Sequence, residues 1–293
     1  MGPFSGPVGR AGIVRRIEAH PLGDAPDAMR RAFRDLVLGD ARAPAAILSD
    51  AGLAGGDLSV HEADDHLAVA TGPGPRVMWL HGGGYVFGGP DTHLRAAAVL
   101  ARLLGGTVVL PRYRLAPEHR WPAPLEDARA AWDRLGATAL MGDSAGGHLA
   151  LVLALRLAAE GRAPDRLALL APNADRTGAA RNRAAASPLD PMNDDADDRA
   201  LAADAGLTAD RPDASPALAD LSGLPPTWIE VGAPEVLLGD STLLAERAAL
   251  AGAACALHVA PGLLHMGQLW APWWAEGVAS LERVAAHLAV TRR

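Results

Sequence analysis

The chain has 293 residues, 49% apolar and 21% charged, the length and composition of one large soluble domain with a sizeable core rather than of a disordered segment. Its net charge of −7 gives a nucleic-acid partner no electrostatic support, and all 27 basic residues are Arg, which excludes Schiff-base lysine chemistry and a Walker-type phosphate loop. A single cysteine, Cys255, rules out an internal disulfide and suits a reducing compartment.

Residues 1–57 carry one amphipathic stretch, about Ala28–Leu38, in which Met29, Phe33 and Leu36 fall at helical spacings between flanking Gly and Pro. This segment reads as a helical lid outside any central sheet. Met1 to His20 lacks the apolar core of a secretion signal, and nowhere does an 18-residue apolar run occur. No membrane span is expected, and the cytoplasm is the expected location.

From Leu58 the pattern alternates. Strand-like runs at Leu58–His61, Leu67–Ala70, Val77–Leu80, Thr107–Leu110, Thr138–Met141, Leu167–Ala171, Trp228–Val231 and Ala256–Val259 are interleaved with helical stretches. The helices expected are Leu94–Leu104, Leu125–Leu135, His148–Glu160, one that ends near Leu250, and Val278–Ala289. Strands alternating with helices predict an α/β domain over 58–293, its mostly parallel sheet covered on both faces. Residues 174–220, rich in Asp, Ala, Arg and Pro with the acidic run Asp194 to Asp198, break the rhythm. They read as a solvated, mobile insertion that also serves as a second piece of lid. Cys255 reads as a buried strand residue.

Two motifs carry chemistry. Gly142-Asp143-Ser144-Ala145-Gly146 lies between a short apolar strand and a strong helix. A turn this sharp needs small flanking residues, strains the serine and presents its Oγ at the carboxyl end of a sheet, over a helix N-terminus. His81-Gly82-Gly83-Gly84 follows directly on Val77–Leu80. Its glycines let backbone N–H groups approach an oxyanion, and His81 reads as a brace for that turn.

A serine hydroxyl needs a base, and the base needs an acid to fix its tautomer. Of the histidines after Ser144, His148 lies on the elbow helix, His258 in a strand run and His287 on the terminal helix. His265 sits in a loop after a strand and is the expected base. The acid should follow a strand between serine and histidine in sequence. Glu235, just past Trp228–Val231, is favoured. Asp240 is the alternative, with an ordinary role as helix N-cap.

Taken together, the motifs resemble the hormone-sensitive-lipase family of α/β-hydrolases, in particular its bacterial esterases. The resemblance rests on His81 to Gly84, on Tyr113-Arg114-Leu115-Ala116-Pro117-Glu118 followed by Pro122 to Ala128, on Gly142 to Gly147, and on Leu224-Pro225-Pro226. It covers about residues 75 to 290. It implies an α/β-hydrolase fold, a triad of Ser144, Glu235 (or Asp240) and His265, and an oxyanion hole from the N–H groups of Gly83, Gly84 and Ala145. It also implies a lid from residues 1–57 and 174–220. Glu235 departs from the family's usual Asp, Met266 from its usual Phe, and Pro111-Arg112 from its usual Asp-bearing lead-in. The expected activity is hydrolysis of short-chain carboxylic esters through an acyl-enzyme, with no cofactor and no metal. The small-molecule ester is the expected partner, and a homodimer is one assembly open to it. A catalytically inactive small-molecule receptor of the same fold and an amidase are the alternatives.

Overall fold

The alternation of apolar runs and amphipathic stretches folds as one layered sheet. The computed structural model describes residues 2–289. Three helices come first, α1 (Arg10–Glu18), α2 (Pro26–Leu38) and α3 (Pro44–Asp50). Then follow β1 (Ser59–Ala63), β2 (His66–Ala70), β3 (Arg76–Leu80), α4 (Pro90–Leu104), β4 (Thr107–Pro111), α5 (Ala123–Leu135), β5 (Ala139–Asp143), α6 (Ser144–Ala159) and β6 (Arg166–Leu170). The rest comprises α7 (Arg183–Ala186), α8 (Asp195–Asp204), β7 (Thr227–Gly232), α9 (Leu238–Leu250), β8 (Cys255–Ala260) and α10 (Ala275–Leu288).

The strand order is β1-β2-β4-β3-β5-β6-β7-β8. From β4 to β8 every pairing is parallel, and β2 joins both β1 and β4 antiparallel. The parallel strands are apolar along most of their length because helices cover them. α4 and α10 pack together on one face, whereas α5, α6 and α9 lie against the other. After β3 the chain steps outward to β4, then returns past β3 to β5. The carboxyl ends of β3 and β5 therefore border the point where strand order reverses, where an open parallel sheet leaves a crevice for a ligand.

The first 57 residues hold three helices where the periodicity predicts one. α1 and α3 are only 9 and 7 residues long, too short for a clear 3.6-residue signal, and packing holds them. Ile13, Phe33, Leu36 and Ile47 are buried in the main core. Arg95, on α4 and 1% exposed, donates to the carbonyls of Val37 (2.7 Å), Leu38 (3.3 Å) and Ile47 (3.0 Å). A buried guanidinium is thereby matched to the unpaired carbonyls at the end of α2. Arg30 on α2 reaches Val86 O (2.9 Å), Ala116 O (2.8 Å) and Glu118 (2.6 Å), so the segment is docked against both the glycine loop and the Tyr113–Glu118 block.

Residues 174–220 are exposed over much of their length, as their composition suggests, but they also carry a buried charged cluster. Asp198 is 3% exposed and paired with both Arg176 and Arg183, and Arg183 also binds Asp195 (2.6 Å) and Asp240 (2.6 Å). Burial raises the Asp198 carboxyl, but the two guanidinium groups outweigh it and hold the group down at about 2. Part of the charge that looks like a hydrophilic face, Arg176, Arg183 and Asp198, pairs inside the fold. Cys255, expected to be buried, is half-buried on β8, because β8 closes one end of the sheet.

Candidate active site

The chemistry-bearing side chains all come from the carboxyl edge of the sheet. Ser144 follows β5 with φ 54°, the left-handed region, where a non-glycine residue is strained. Its neighbours make the turn possible. A Cβ on Gly142 would sit 2.1 Å from Gly146 O, and one on Gly146 would sit 2.1 Å from Leu80 O. Side chains at either position would force β3, β5 and α6 apart.

His265 lies in the loop after β8. Its Nε2 is 3.0 Å from Ser144 Oγ, and its Nδ1 is 2.7 Å from Glu235 Oε2. Glu235 follows β7, is 1% exposed, and accepts from Gly232 N at 2.5 Å through Oε1. Three side chains that are 121 and 30 residues apart in sequence thus form one hydrogen-bonded line. Burial lowers the His265 pKa, but the hydrogen bond and charge of Glu235, joined by Asp190 and Asp143, raise it further, to about 9. Burial pushes the Glu235 carboxyl up, against the pull of the imidazole.

Asp240, the alternative acid, points elsewhere. It is fully buried in the first turn of α9, and its Oδ1 accepts from Ala174 N (3.0 Å) and Asp175 N (2.9 Å), its Oδ2 from Arg183. It is not the N-cap of α9, which falls at Leu237. Its carboxylate instead binds the start of the insertion to that helix.

The glycine loop lies opposite Ser144. Gly83 and Gly84 adopt φ 121° and 59°, and the Gly83 carbonyl accepts from Val86 N (3.0 Å) and Phe87 N (2.9 Å). Asp143 fixes the loop, a role that its position inside the serine motif does not disclose. Its Oδ1 accepts from Trp79 Nε1 (2.7 Å), and its Oδ2 accepts from Gly82 N (3.1 Å) and faces His93 Nε2 (3.2 Å). Burial raises its carboxyl, but His93 and these donors bring it below its ordinary value. Gly82 N is thereby occupied. His81 is a brace, stacked on Tyr113 at 4.2 Å, whose hydroxyl donates to His81 O at 2.5 Å.

Tyr85 is a further residue not anticipated from sequence. Directly after the glycines and at φ 65°, its hydroxyl donates to His148 Nδ1 (2.6 Å), whose Nε2 donates to Asp213 O (2.8 Å). The glycine loop is in this way tied to the insertion through α6.

His81 and His148 are both held down to about 4, by burial first, with His93 beside the one and Arg176 beside the other adding to it. Folding keeps both neutral. The stability that this provides is present above the unfolded value of 6.5 and is lost as pH falls toward 4. Urea unfolding at a series of pH values is expected to show stability falling by about 1.4 kcal/mol per pH unit for each histidine across that window. A stability constant from pH 6.5 down to 4 would contradict the buried neutral assignment of both.

A cleft of about 590 Å³ lies between the N-terminal segment and the insertion; Ser144, Glu235 and His265 do not line it, and Asp190 is the residue that links it to them. One wall is residues 17–36, with Met29 and Leu36. The other is residues 190–204, with Asp190 and Leu201, and Phe87 from the glycine loop lies between them. Among the described residues, the one grouping with metal-ligand geometry is Asp190, Glu235 and His265. Glu235 and His265 bind each other there, and Asp190 is filled by backbone N–H groups. No helix among the described residues is long and apolar enough to cross a membrane.

A family model described as alpha/beta hydrolase fold matches residues 77–269. An acetyl-hydrolase of Streptomyces hygroscopicus is 34% identical over 73% of this chain and 75% of its own length. The carboxylesterase/phospholipase LipF of Mycobacterium tuberculosis is 34% identical over 74% of this chain, and the match spans 62% of that longer protein. Among solved structures, an esterase from the bacterial hormone-sensitive lipase family superposes with a TM-score of 0.83 at 30% identity, over 96% of both chains. EstE5 soaked with p-nitrophenyl butyrate gives 0.80 at 30% identity, over 94% of this chain and 97% of that one.

Proposed function

The chain belongs to the hormone-sensitive-lipase family of α/β-hydrolases, and from that premise we propose that Ser144, His265 and Glu235 are its nucleophile, base and acid. The protein is a carboxylesterase-like hydrolase that cleaves esters. The observation that carries the residue assignment is the continuous line Ser144–His265–Glu235 at 3.0 and 2.7 Å, on a strained serine at the carboxyl edge of the sheet.

In this mechanism His265 Nε2 takes the Ser144 proton as Oγ attacks the ester carbonyl. Glu235 holds Nδ1–H and balances the imidazolium that forms. The N–H groups of Gly83, Gly84 and Ala145 receive the oxyanion, to which each such donor contributes roughly 10² to 10³ in rate. His265 then returns the proton to the leaving alcohol. Water, activated by the same imidazole, releases the acid from the acyl-serine.

Residues 1–57 and 174–220 form a two-part lid over the body of the domain in this reading. Support comes from the cleft, which residues of both parts line around Phe87. The preferred substrates are short-chain esters. A relative named for acetyl hydrolysis and a solved neighbour soaked with a butyryl ester support that choice. Among p-nitrophenyl esters of increasing acyl length, kcat/KM should be highest between acetyl and hexanoyl and should vanish after treatment with a serine-directed phosphonate. A higher kcat/KM for palmitoyl than for butyryl would reverse the chain-length assignment, and a faster rate on a matched amide would reassign the bond cleaved.

A further inference from the structure

Asp190 belongs to none of the motifs that mark this chain. It ends a short 3-10 turn, Ser187–Leu189, inside the insertion and is 6% exposed. Its Oδ1 accepts from Met192 N (3.0 Å) and Asn193 N (3.2 Å), and its Oδ2 accepts from Val236 N at 3.1 Å. Val236 is the residue next to Glu235. A carboxylate oxygen of Asp190, one of Glu235 and a ring nitrogen of His265 all lie within 4.8 Å of one another. Two buried carboxylates therefore face one imidazole. Such a pair repels itself and is disfavoured by burial unless both members are held by donors. Here backbone N–H groups hold each of them.

We propose that Asp190 is a positioning residue of the proton relay, holding the Glu235 loop through Val236 N and supplying a second negative charge that stabilises the imidazolium of His265. The proposal rests on the assignment of Ser144, His265 and Glu235 above. Asp190 does not touch the serine and acts through the other two. It also lines the cleft between the N-terminal segment and the insertion, so a single residue joins the insertion to the relay. The charged and titratable groups facing His265 are Glu235 from the loop after β7, Asp190 from the insertion and Asp143 from the end of β5. Asp143 is already engaged by Trp79 Nε1, Gly82 N and His93 Nε2, so Asp190 is the charge whose removal acts most directly on the imidazole besides Glu235.

The test compares the full-length parent with Asp190→Asn and Asp190→Glu, reading kcat, KM and the pH dependence of kcat/KM on p-nitrophenyl butyrate. His265 must be neutral to act as base, so the acidic limb of kcat/KM follows its pKa. Loss of a charge about 5 Å away should move that limb to lower pH by about one unit in Asp190→Asn. The same variant should lower kcat, since the imidazolium is less stabilised, and leave KM within about twofold. Asp190→Glu, which keeps the charge, should keep the limb of the parent. If Asp190→Asn does not fold, Asp190→Ser, also neutral and smaller, carries the same reading. A neutral variant that loses kcat or stability while its limb stays within about 0.3 unit of the parent overturns the proposal, because a purely structural role leaves the imidazole unmoved. Failure of the underlying triad assignment looks different: the phosphonate would not label Ser144 in the parent.

Discussion

Replacing Ser144 with Ala is expected to lower kcat on p-nitrophenyl butyrate by about 10⁶, the scale of nucleophile loss in an unrelated serine protease. The geometry explains why so much depends on one oxygen. His265 Nε2 has Ser144 Oγ at 3.0 Å, and the strained backbone at φ 54° aims that oxygen out of the turn between β5 and α6. Without it the imidazole has no hydroxyl to deprotonate, and the oxyanion donors are left with no covalent intermediate to stabilise. The fold should survive, because alanine fits the space, keeps the backbone and removes a single hydrogen bond, a change of about 1 kcal/mol. Circular dichroism and thermal melting of the variant, beside its turnover, separate loss of chemistry from loss of structure. Residual activity within tenfold of the parent would remove Ser144 from its role.

The second large effect separates the two acids. Glu235→Gln should lower kcat by about 10⁴ with little change in KM, as loss of the triad acid does in an unrelated serine protease. Glutamine is the same size and can still accept from Gly232 N, so the loop stays in place. Its amide nitrogen, however, would face the Nδ1–H of His265, donor against donor. The imidazole then shifts to the Nε2–H tautomer, which cannot take a proton from Ser144, and its cationic form loses the anion at 2.7 Å. Asp240→Asn should do the reverse. Its partners are Arg183, Ala174 N and Asp175 N, so the change leaves part of a buried charge uncompensated and should cost about 3–5 kcal/mol of stability. That exceeds the roughly 1 kcal/mol appropriate to a helix cap, the role its position in the sequence suggests. Its kcat should stay near that of the parent at temperatures where both are folded. If Asp240→Asn were the inactive variant and Glu235→Gln nearly normal, the acid would have to be reassigned.

Local pattern reaches as far as local physics does. The apolar runs mark the eight strands to within a few residues, and β3 to β6 most plainly, because a strand buried by helices on both faces must be apolar along its length. The Gly-Asp-Ser-Ala-Gly turn is legible because sterics alone demand small residues there, as the approach of Gly146 to Leu80 O shows. His265 is legible because, among the histidines after Ser144, it is the one placed in a loop beyond a strand. Position just past the strand favours Glu235 over Asp240, and tertiary structure then sets Glu235, not Asp240, against that histidine. Five residues apart on consecutive turns of chain, both follow β7, and only the packing of the β7 and β8 loops aims one at His265 and the other at Arg183. The same holds for the insertion. Its acidic and basic residues read as a solvated surface because composition does not say which charges meet. Arg176, Asp198, Arg183 and Asp240 bury one another across separations of 15 to 57 residues. Asp190 reaches Val236 N across 46 residues, a contact for which no periodicity or spacing exists, since it depends on two loops being brought to the same edge of one sheet.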